Sequence, residues 1–123
     1  MAAQRPRILL VDDDLDIRLL LKAVLSDEGY QVVAAGNGLE AIQEAMLEPP
    51  DLVILDLMMP EMSGTEVAAR LSREGRGAPP LLVISAASDA EIVATNLGAS
   101  RLLHKPFDLQ ALLDDVATLV AEA

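Results

Sequence analysis

An α/β fold, one parallel five-stranded sheet covered by helices on both faces, is predicted by this 123-residue sequence on three observations. Short aliphatic runs without polar alternation read as strands buried on both faces. Segments with apolar residues three and four apart lie between them, and such alternation requires parallel pairing through right-handed crossovers. The composition is 52% hydrophobic but only 2% aromatic, so Leu, Val, Ile, Ala and Met must build the core. A core of that kind suits a doubly wound sheet and does not suit a pocket that grips flat rings by stacking.

Taken in order, residues 8–11 form the first strand. Residues 15–28 carry Ile17, Leu20, Leu21, Val24 and Leu25 at helical spacing, with Gly29 as C-terminal cap. Residues 30–35 are the second strand. Asn37 caps a helix containing Leu39, Ile42 and Met46, which Pro49 and Pro50 stop. Residues 52–55 are the third strand; the helix over 64–74 has Val67 and Leu71 inward and ends in Gly75 and Gly77. Residues 81–84 are the fourth strand, and Ser88 caps a helix with Ile92, Thr95 and Asn96 that Gly98 closes. Residues 101–104 are the fifth strand, and Asp108 caps a last helix presenting Leu112, Val116 and Leu119. No linker, repeat or low-complexity segment interrupts this order. Residues 1–123 are expected to form one domain, with no effector domain in this chain.

Charge and composition narrow the function. Twenty acidic and 9 basic residues give a net charge of −11, which repels phosphate backbones, and no basic stripe offsets it; direct nucleic-acid binding is not expected. With 0 cysteines, disulfides, thiolate metal sites and Cys nucleophiles are excluded. No signal peptide precedes the first strand, and no run approaches the roughly 18 apolar residues that span a bilayer. A cytoplasmic protein without membrane association is the expectation.

In parallel sheets of this kind, ligands bind beyond the carboxyl ends of the strands. Asp12 and Asp13 end the first strand, Asp56 the third, Ser85 the fourth and Lys105 the fifth. Asp51, by contrast, begins the third strand; at about 3.3 Å per residue it falls roughly 16 Å from Asp56, on the opposite rim, where a structural role is expected. Three carboxylates on one rim repel, so one must take a proton or a cation must compensate. Hard oxygen donors favour Mg²⁺, Mn²⁺ or Ca²⁺, and a partly hydrated Mg²⁺ suits a site open to phosphate. Lys105 brings positive charge from the other side, and Ser85 can donate to an incoming oxygen. A carboxylate nucleophile beside a cation and a Lys has the parts that phosphoryl transfer needs.

The pattern Val11-Asp12-Asp13-Asp14, then Leu55-Asp56-Leu57-Met58-Met59-Pro60-Glu61-Met62-Ser63-Gly64, then Ile84-Ser85-Ala86, then Lys105-Pro106-Phe107, resembles the receiver domain of two-component response regulators, chemotaxis regulators among them. The resemblance covers essentially the whole chain. It implies a flavodoxin-like sheet in the order 2-1-3-4-5. It also implies that Asp56 is the phosphoacceptor, that Asp13 binds Mg²⁺ directly and Asp12 mainly through water, and that the Met58 carbonyl completes the protein ligands. Lys105 would contact the phosphoryl group, and its peptide bond to Pro106 would be cis. Ser85 would swing toward the phosphoryl oxygen, and Ala86 would leave room for the donor. The implied partners are a histidine kinase or histidine phosphotransfer protein and a downstream protein target. Such a domain catalyses only its own phosphorylation and dephosphorylation. Three residues before the Lys, many relatives carry Tyr or Phe; here it is Leu102, so any switch is expected to act through Ser85 and backbone shifts.

Other residues have plainer readings. Any one of Asp12, Asp13 and Asp14 could cap the first helix. His104, the single histidine, points away from Lys105 by strand alternation and reads as a surface residue, leaving the donor histidine to a partner. Met58, Met59 and Met62 read as loop packing, since hard carboxylates beside them argue against a soft metal. The stretch from Gly36 to Ala41 matches a dinucleotide fingerprint but follows the second strand, so a turn and cap is the better account. Leu15, Arg18, Leu19 and Lys22 lie opposite the core stripe of the first helix; with Pro106 and Phe107 they are expected to dock the partner that presents a phosphohistidine. Two competing functions share the architecture. A haloacid-dehalogenase-like phosphatase would need Thr or Val where Asp16 stands, and a flavin binder would purify coloured. A receiver-like interaction module that is never phosphorylated is a further alternative.

Overall fold

The computed structural model describes residues 5–58, 64–72 and 79–122. Five strand–helix pairs follow one another: β1 (Arg7–Val11), α1 (Leu15–Asp27), β2 (Gln31–Ala35), α2 (Gly38–Leu47), β3 (Leu52–Asp56), α3 (Gly64–Ser72), β4 (Leu81–Ser85), α4 (Ala90–Leu97), β5 (Arg101–His104) and α5 (Leu109–Glu122). The strands form one sheet in the order β2-β1-β3-β4-β5, and every pair is parallel. The doubly wound sheet read from the sequence is therefore present, in the order that the resemblance implied.

Side-chain alternation divides the core in two. Ile8, Leu10, Leu52, Ile54, Leu82 and Ile84 pack on Leu21 and Leu25 of α1 and on Leu112, Val116 and Leu119 of α5. Leu9, Val11, Val53, Leu55, Leu81 and Val83 pack on the other side against Ala41, Val67, Ala68, Leu71 and Ala94, from α2, α3 and α4. Strands covered on both faces need apolar residues at every position, which is why β1, β3 and β4 read as unbroken aliphatic runs. The edge strands β2 and β5 are only partly covered, and their sequences are correspondingly mixed.

Several helix faces differ from the sequence expectation. Leu20, Leu39, Met46 and Ile92 were assigned to core stripes, and all four are exposed. In α2 the expected Ile42 does face the sheet, joined by Ala41, and in α4 Ala90 and Ala94 face it. Small side chains let a helix approach the strands closely, so the bulkier residues are turned outward. α4 also begins later than expected: Asp89, not Ser88, holds its N-cap position, and the Asp89 side chain makes no capping bond. Gly75 and Gly77 lie outside the described residues. The caps at Asn37, Gly29 and Gly98 follow the sequence. Asn37 Oδ1 accepts the Glu40 amide, and Glu40 Oε1 in turn accepts the Gly36 amide. Gly29 and Gly98 close α1 and α4 at φ +97° and +73°, backbone angles that glycine adopts without strain.

Asp14 is the N-cap of α1, its Oδ1 accepting the amides of Asp16 at 2.9 Å and Ile17 at 3.3 Å. Asp14→Ala is expected to cost about 1 kcal/mol of stability in urea unfolding, with the cooperativity of the transition unchanged. A loss within error would mean that water satisfies those amides equally well. Among the described residues no helix is long and apolar enough to cross a membrane.

Candidate functional site

The strand registers assemble the site. Val11 pairs with Leu55, so the next residues along, Asp12 and Asp56, stand side by side. Asp56 pairs with Ile84, which sets Ser85 one step further out on β4, and Ser85 pairs with His104, which brings Lys105 to the same rim. The Lys105 amide donates to the Ser85 carbonyl at 2.9 Å, tying these two ends together.

Two of the carboxylates are sunk in the rim: Asp12 is 0% exposed and Asp56 3%. Lys105 Nζ lies between them, 2.9 Å from Asp12 Oδ2 and 3.2 Å from Asp56 Oδ2. The second oxygen of each is also engaged. Asp12 Oδ1 accepts the Asp14 amide at 2.9 Å, and Asp56 Oδ1 accepts the Met58 amide at 3.0 Å. Asp13 is exposed, yet one carboxylate oxygen from each of Asp12, Asp13 and Asp56 lies within 4.8 Å of the others. Ser85 is fully buried, and its Oγ accepts the Ala87 amide at 3.0 Å. The hydroxyl proton therefore remains available for another acceptor.

Burial pushes the Asp56 carboxyl above its ordinary value. The Met58 amide opposes this, the Asp12 charge reinforces it, and Lys105 opposes it again, leaving the net shift upward. Burial by itself would lower Lys105, but the hydrogen bond and charge of Asp12, with those of Asp56, hold the ammonium above its ordinary value. One ammonium thus faces three carboxylates. The cluster is short of positive charge, and its donors are all hard oxygens.

The other singled-out residues fall as follows. The Lys105–Pro106 bond is cis. Met58 and Ala86 are exposed beside the site, and Pro106 is exposed next to a half-buried Phe107 that packs on the α1–α5 side. Leu102 is half-buried against the α4 side of the core. His104 is exposed, with Nε2 3.6 Å from a Glu91 carboxylate oxygen. Leu15, Leu19 and Lys22 are exposed on α1, whereas Arg18 turns back and donates from Nη1 to the Asp12 carbonyl at 2.8 Å. Met59, Pro60, Glu61, Met62 and Ser63 lie outside the described residues.

Asp51 sits on the opposite rim, its Oδ2 accepting the Arg7 amide at 2.8 Å and its own amide donating to the Arg7 carbonyl at 2.7 Å. The sequence reading passed over Arg7, a buried cation whose Nε donates to the Glu48 carbonyl at 3.1 Å and whose guanidinium pairs with Glu44 and Glu48. A charged residue opening an aliphatic strand, with Glu44 and Glu48 one turn apart on a later helix, was the available signal. These contacts fasten α2 to the base of the sheet, away from the acidic rim.

A family profile described as "Response regulator receiver domain" matches residues 8–117. The response regulator MprA of Mycobacterium leprae is 40% identical over 115 residues, which is 93% of this chain and 50% of that protein. The transcriptional regulatory protein PdtaR of Mycobacterium tuberculosis is 36% identical over 123 residues, covering 98% of this chain and 59% of that one. The chain therefore spans only about half the length of these relatives. Among solved structures, the chemotaxis protein CheY4 of Vibrio cholerae superposes with a TM-score of 0.85 at 29% identity, covering 94% of this chain and 99% of that one. The response regulator TrrA of Thermotoga maritima, solved with Mg(2+)-BeF, gives 0.80 at 36% identity, covering 93% and 98%.

Proposed function

Because the chain belongs to the response regulator receiver domain family, we propose that it is a phosphoacceptor signalling switch whose Asp56 takes a phosphoryl group from the phosphohistidine of a partner. The observation that carries this reading is the buried pair Asp12 and Asp56 bridged by one ammonium, with Asp13 within reach of both.

The donor set fits Mg²⁺. Three carboxylates with oxygens within 4.8 Å of one another, and a single ammonium to offset them, leave unbalanced negative charge that a small hard cation would neutralise. Asp12, Asp13, Asp56 and the Met58 carbonyl are the groups that would hold it, and Mn²⁺ would be accepted by the same donors. The bound ion would supply charge neutralisation on the phosphoryl oxygens. TrrA, with its Mg(2+)-BeF complex, is a relative whose ligand suits this reading.

In the proposed transfer, a carboxylate oxygen of Asp56 attacks phosphorus and the bond from phosphorus to the donor imidazole nitrogen breaks, its electron pair leaving on that nitrogen. The Lys105 ammonium passes from the carboxylate to the phosphoryl oxygens, and the Ser85 hydroxyl donates to one of them. Ala86, small and exposed, leaves the approach open. Hydrolysis reverses the modification: water attacks phosphorus, and the bond to Asp56 breaks to restore the carboxylate. The exposed Leu15, Leu19 and Lys22 of α1, together with Pro106 and Phe107, form the surface for a histidine kinase or phosphotransfer protein. The β4–β5 side, where Leu102 replaces the family's usual aromatic ring, would alter its fit to a downstream protein target. A switch of this kind acts in the cytoplasm and turns over no external substrate.

Incubation with acetyl phosphate and Mg²⁺, followed by intact mass measurement, tests this reading. A gain of one phosphoryl group that decays with time, and that fails to appear in EDTA, is the expected result. No gain at any Mg²⁺ concentration would refute it.

A further inference from the structure

Arg18 lies on α1 among Leu15, Leu19 and Lys22, yet its side chain does not extend outward with theirs. Its Nη1 donates to the Asp12 main-chain carbonyl at 2.8 Å. The guanidinium rests against Gly36, in the turn after β2, where an added Cβ would stand 2.9 Å from Nη1 and 3.1 Å from Cζ. Gly36 is itself held, since its amide donates to Glu40 Oε1 at 3.3 Å near the start of α2. The missing side chain at Gly36 is what leaves room for Arg18.

Asp12 is consequently fixed at four points. Its amide donates to the Ala35 carbonyl, its carbonyl accepts Arg18, and its two carboxylate oxygens accept the Asp14 amide and Lys105 Nζ. Of the two long side chains among these contacts, Lys105 holds the carboxylate and Arg18 holds the main-chain carbonyl. We propose that Arg18, seated on Gly36, is a positioning residue that fixes the main chain at Asp12 and so sets the affinity of the acidic cluster for Mg²⁺. The inference rests on the functional reading above.

Charge and positioning predict opposite signs, which makes the inference decidable. As a nearby cation, Arg18 repels Mg²⁺, so its loss through charge alone would tighten binding. As a support for Asp12, its loss would loosen binding. Groups that orient a metal-ligating side chain typically change metal affinity by about 10-fold or more.

Calorimetric titration with Mg²⁺ alone, without any phosphodonor, reads this directly. Arg18→Met is expected to weaken Mg²⁺ binding about tenfold. Arg18→Lys, which keeps a donor on a shorter reach, should recover part of that loss. Gly36→Ala keeps the guanidinium but fills its seat, and should weaken binding in the same direction by a smaller factor. If Arg18→Met fails to fold, Gly36→Ala carries the test. Wild-type binding with Gly36→Ala and Arg18→Met unchanged, or with Arg18→Met tighter, overturns this inference and leaves the functional reading standing. A wild type that does not bind Mg²⁺ overturns both.

Discussion

Asp56→Asn is expected to abolish phosphoryl incorporation from acetyl phosphate while making the metal-free protein more stable. The first effect follows from the loss of the carboxylate proposed to attack phosphorus, and intact mass reads it as complete absence of the phosphorylated species. The second follows from electrostatics. Asp56 is buried beside Asp12, and the single ammonium between them does not keep its carboxyl from being raised. An acid whose folded pKa lies above its unfolded value adds stability only while it is protonated. That contribution is complete below the unfolded pKa and is lost as pH rises through the folded one. At neutral pH the wild type therefore carries a buried repulsion that Asn removes. An amide nitrogen placed against either Lys105 or the Met58 amide costs about one hydrogen bond in return. The net gain is on the order of 1 kcal/mol in urea unfolding, growing with pH and vanishing in acid. Mg²⁺ should reverse the ranking, because a ligand that binds only the folded state stabilises whichever protein binds it more tightly. A variant less stable than wild type throughout would show that Asp56 is held without repulsion.

Lys105→Met is expected to act in the opposite sense on the fold and in the same sense on the chemistry. The Lys105 side chain is only 18% exposed, and its ammonium is bonded to both Asp12 and Asp56. Removing one partner of a buried ion pair typically costs 3–5 kcal/mol; partial exposure and the freedom of the Asp56 carboxyl to take up a proton reduce this to about 2–4 kcal/mol here. Without Lys105 the carboxyl of Asp56 loses two of the influences that lower it and shifts further upward. The part of the penalty that arises at Asp56 is therefore largest above its folded pKa and is lost as pH falls through it. Mg²⁺ should restore much of the lost stability by replacing the missing charge. It should not restore the rate: losing a donor to the transferring group slows such reactions by about 10²–10³-fold. Urea titrations with and without Mg²⁺, set beside the time course of phosphorylation, separate the two effects. A stability loss that Mg²⁺ leaves untouched would place the role of Lys105 in packing.

The sheet was legible because strands covered on both faces leave no choice of residue. Ile8, Leu9, Leu10 and Val11, like Leu52, Val53, Ile54 and Leu55, must be apolar at every position, and so they announce themselves. The candidate site followed from the sheet, since parallel pairing carries Asp12, Asp56, Ser85 and Lys105 to one rim and Asp51 to the other. The helices were harder to read. In a chain that is 52% hydrophobic, apolar residues occupy more than one face of a helix, and spacing alone cannot say which face is inward. In α4 it is Ala90 and Ala94 that are buried and Ile92 that is exposed. Arg7 and Arg18 were opaque for a different reason. Each is defined by partners brought together only by folding, Glu44 and Glu48 in one case and Gly36 with the Asp12 carbonyl in the other.

The main-chain hydrogen bond of 2.9 Å from the Lys105 amide to the Ser85 carbonyl joins the two residues proposed to greet the phosphoryl group. Neither can travel far without its neighbour. With the aliphatic Leu102 on β5, news of the proposed modification would leave the rim as a joint slide of two adjoining strand ends, carried by backbone, with no aromatic lever at that position to turn.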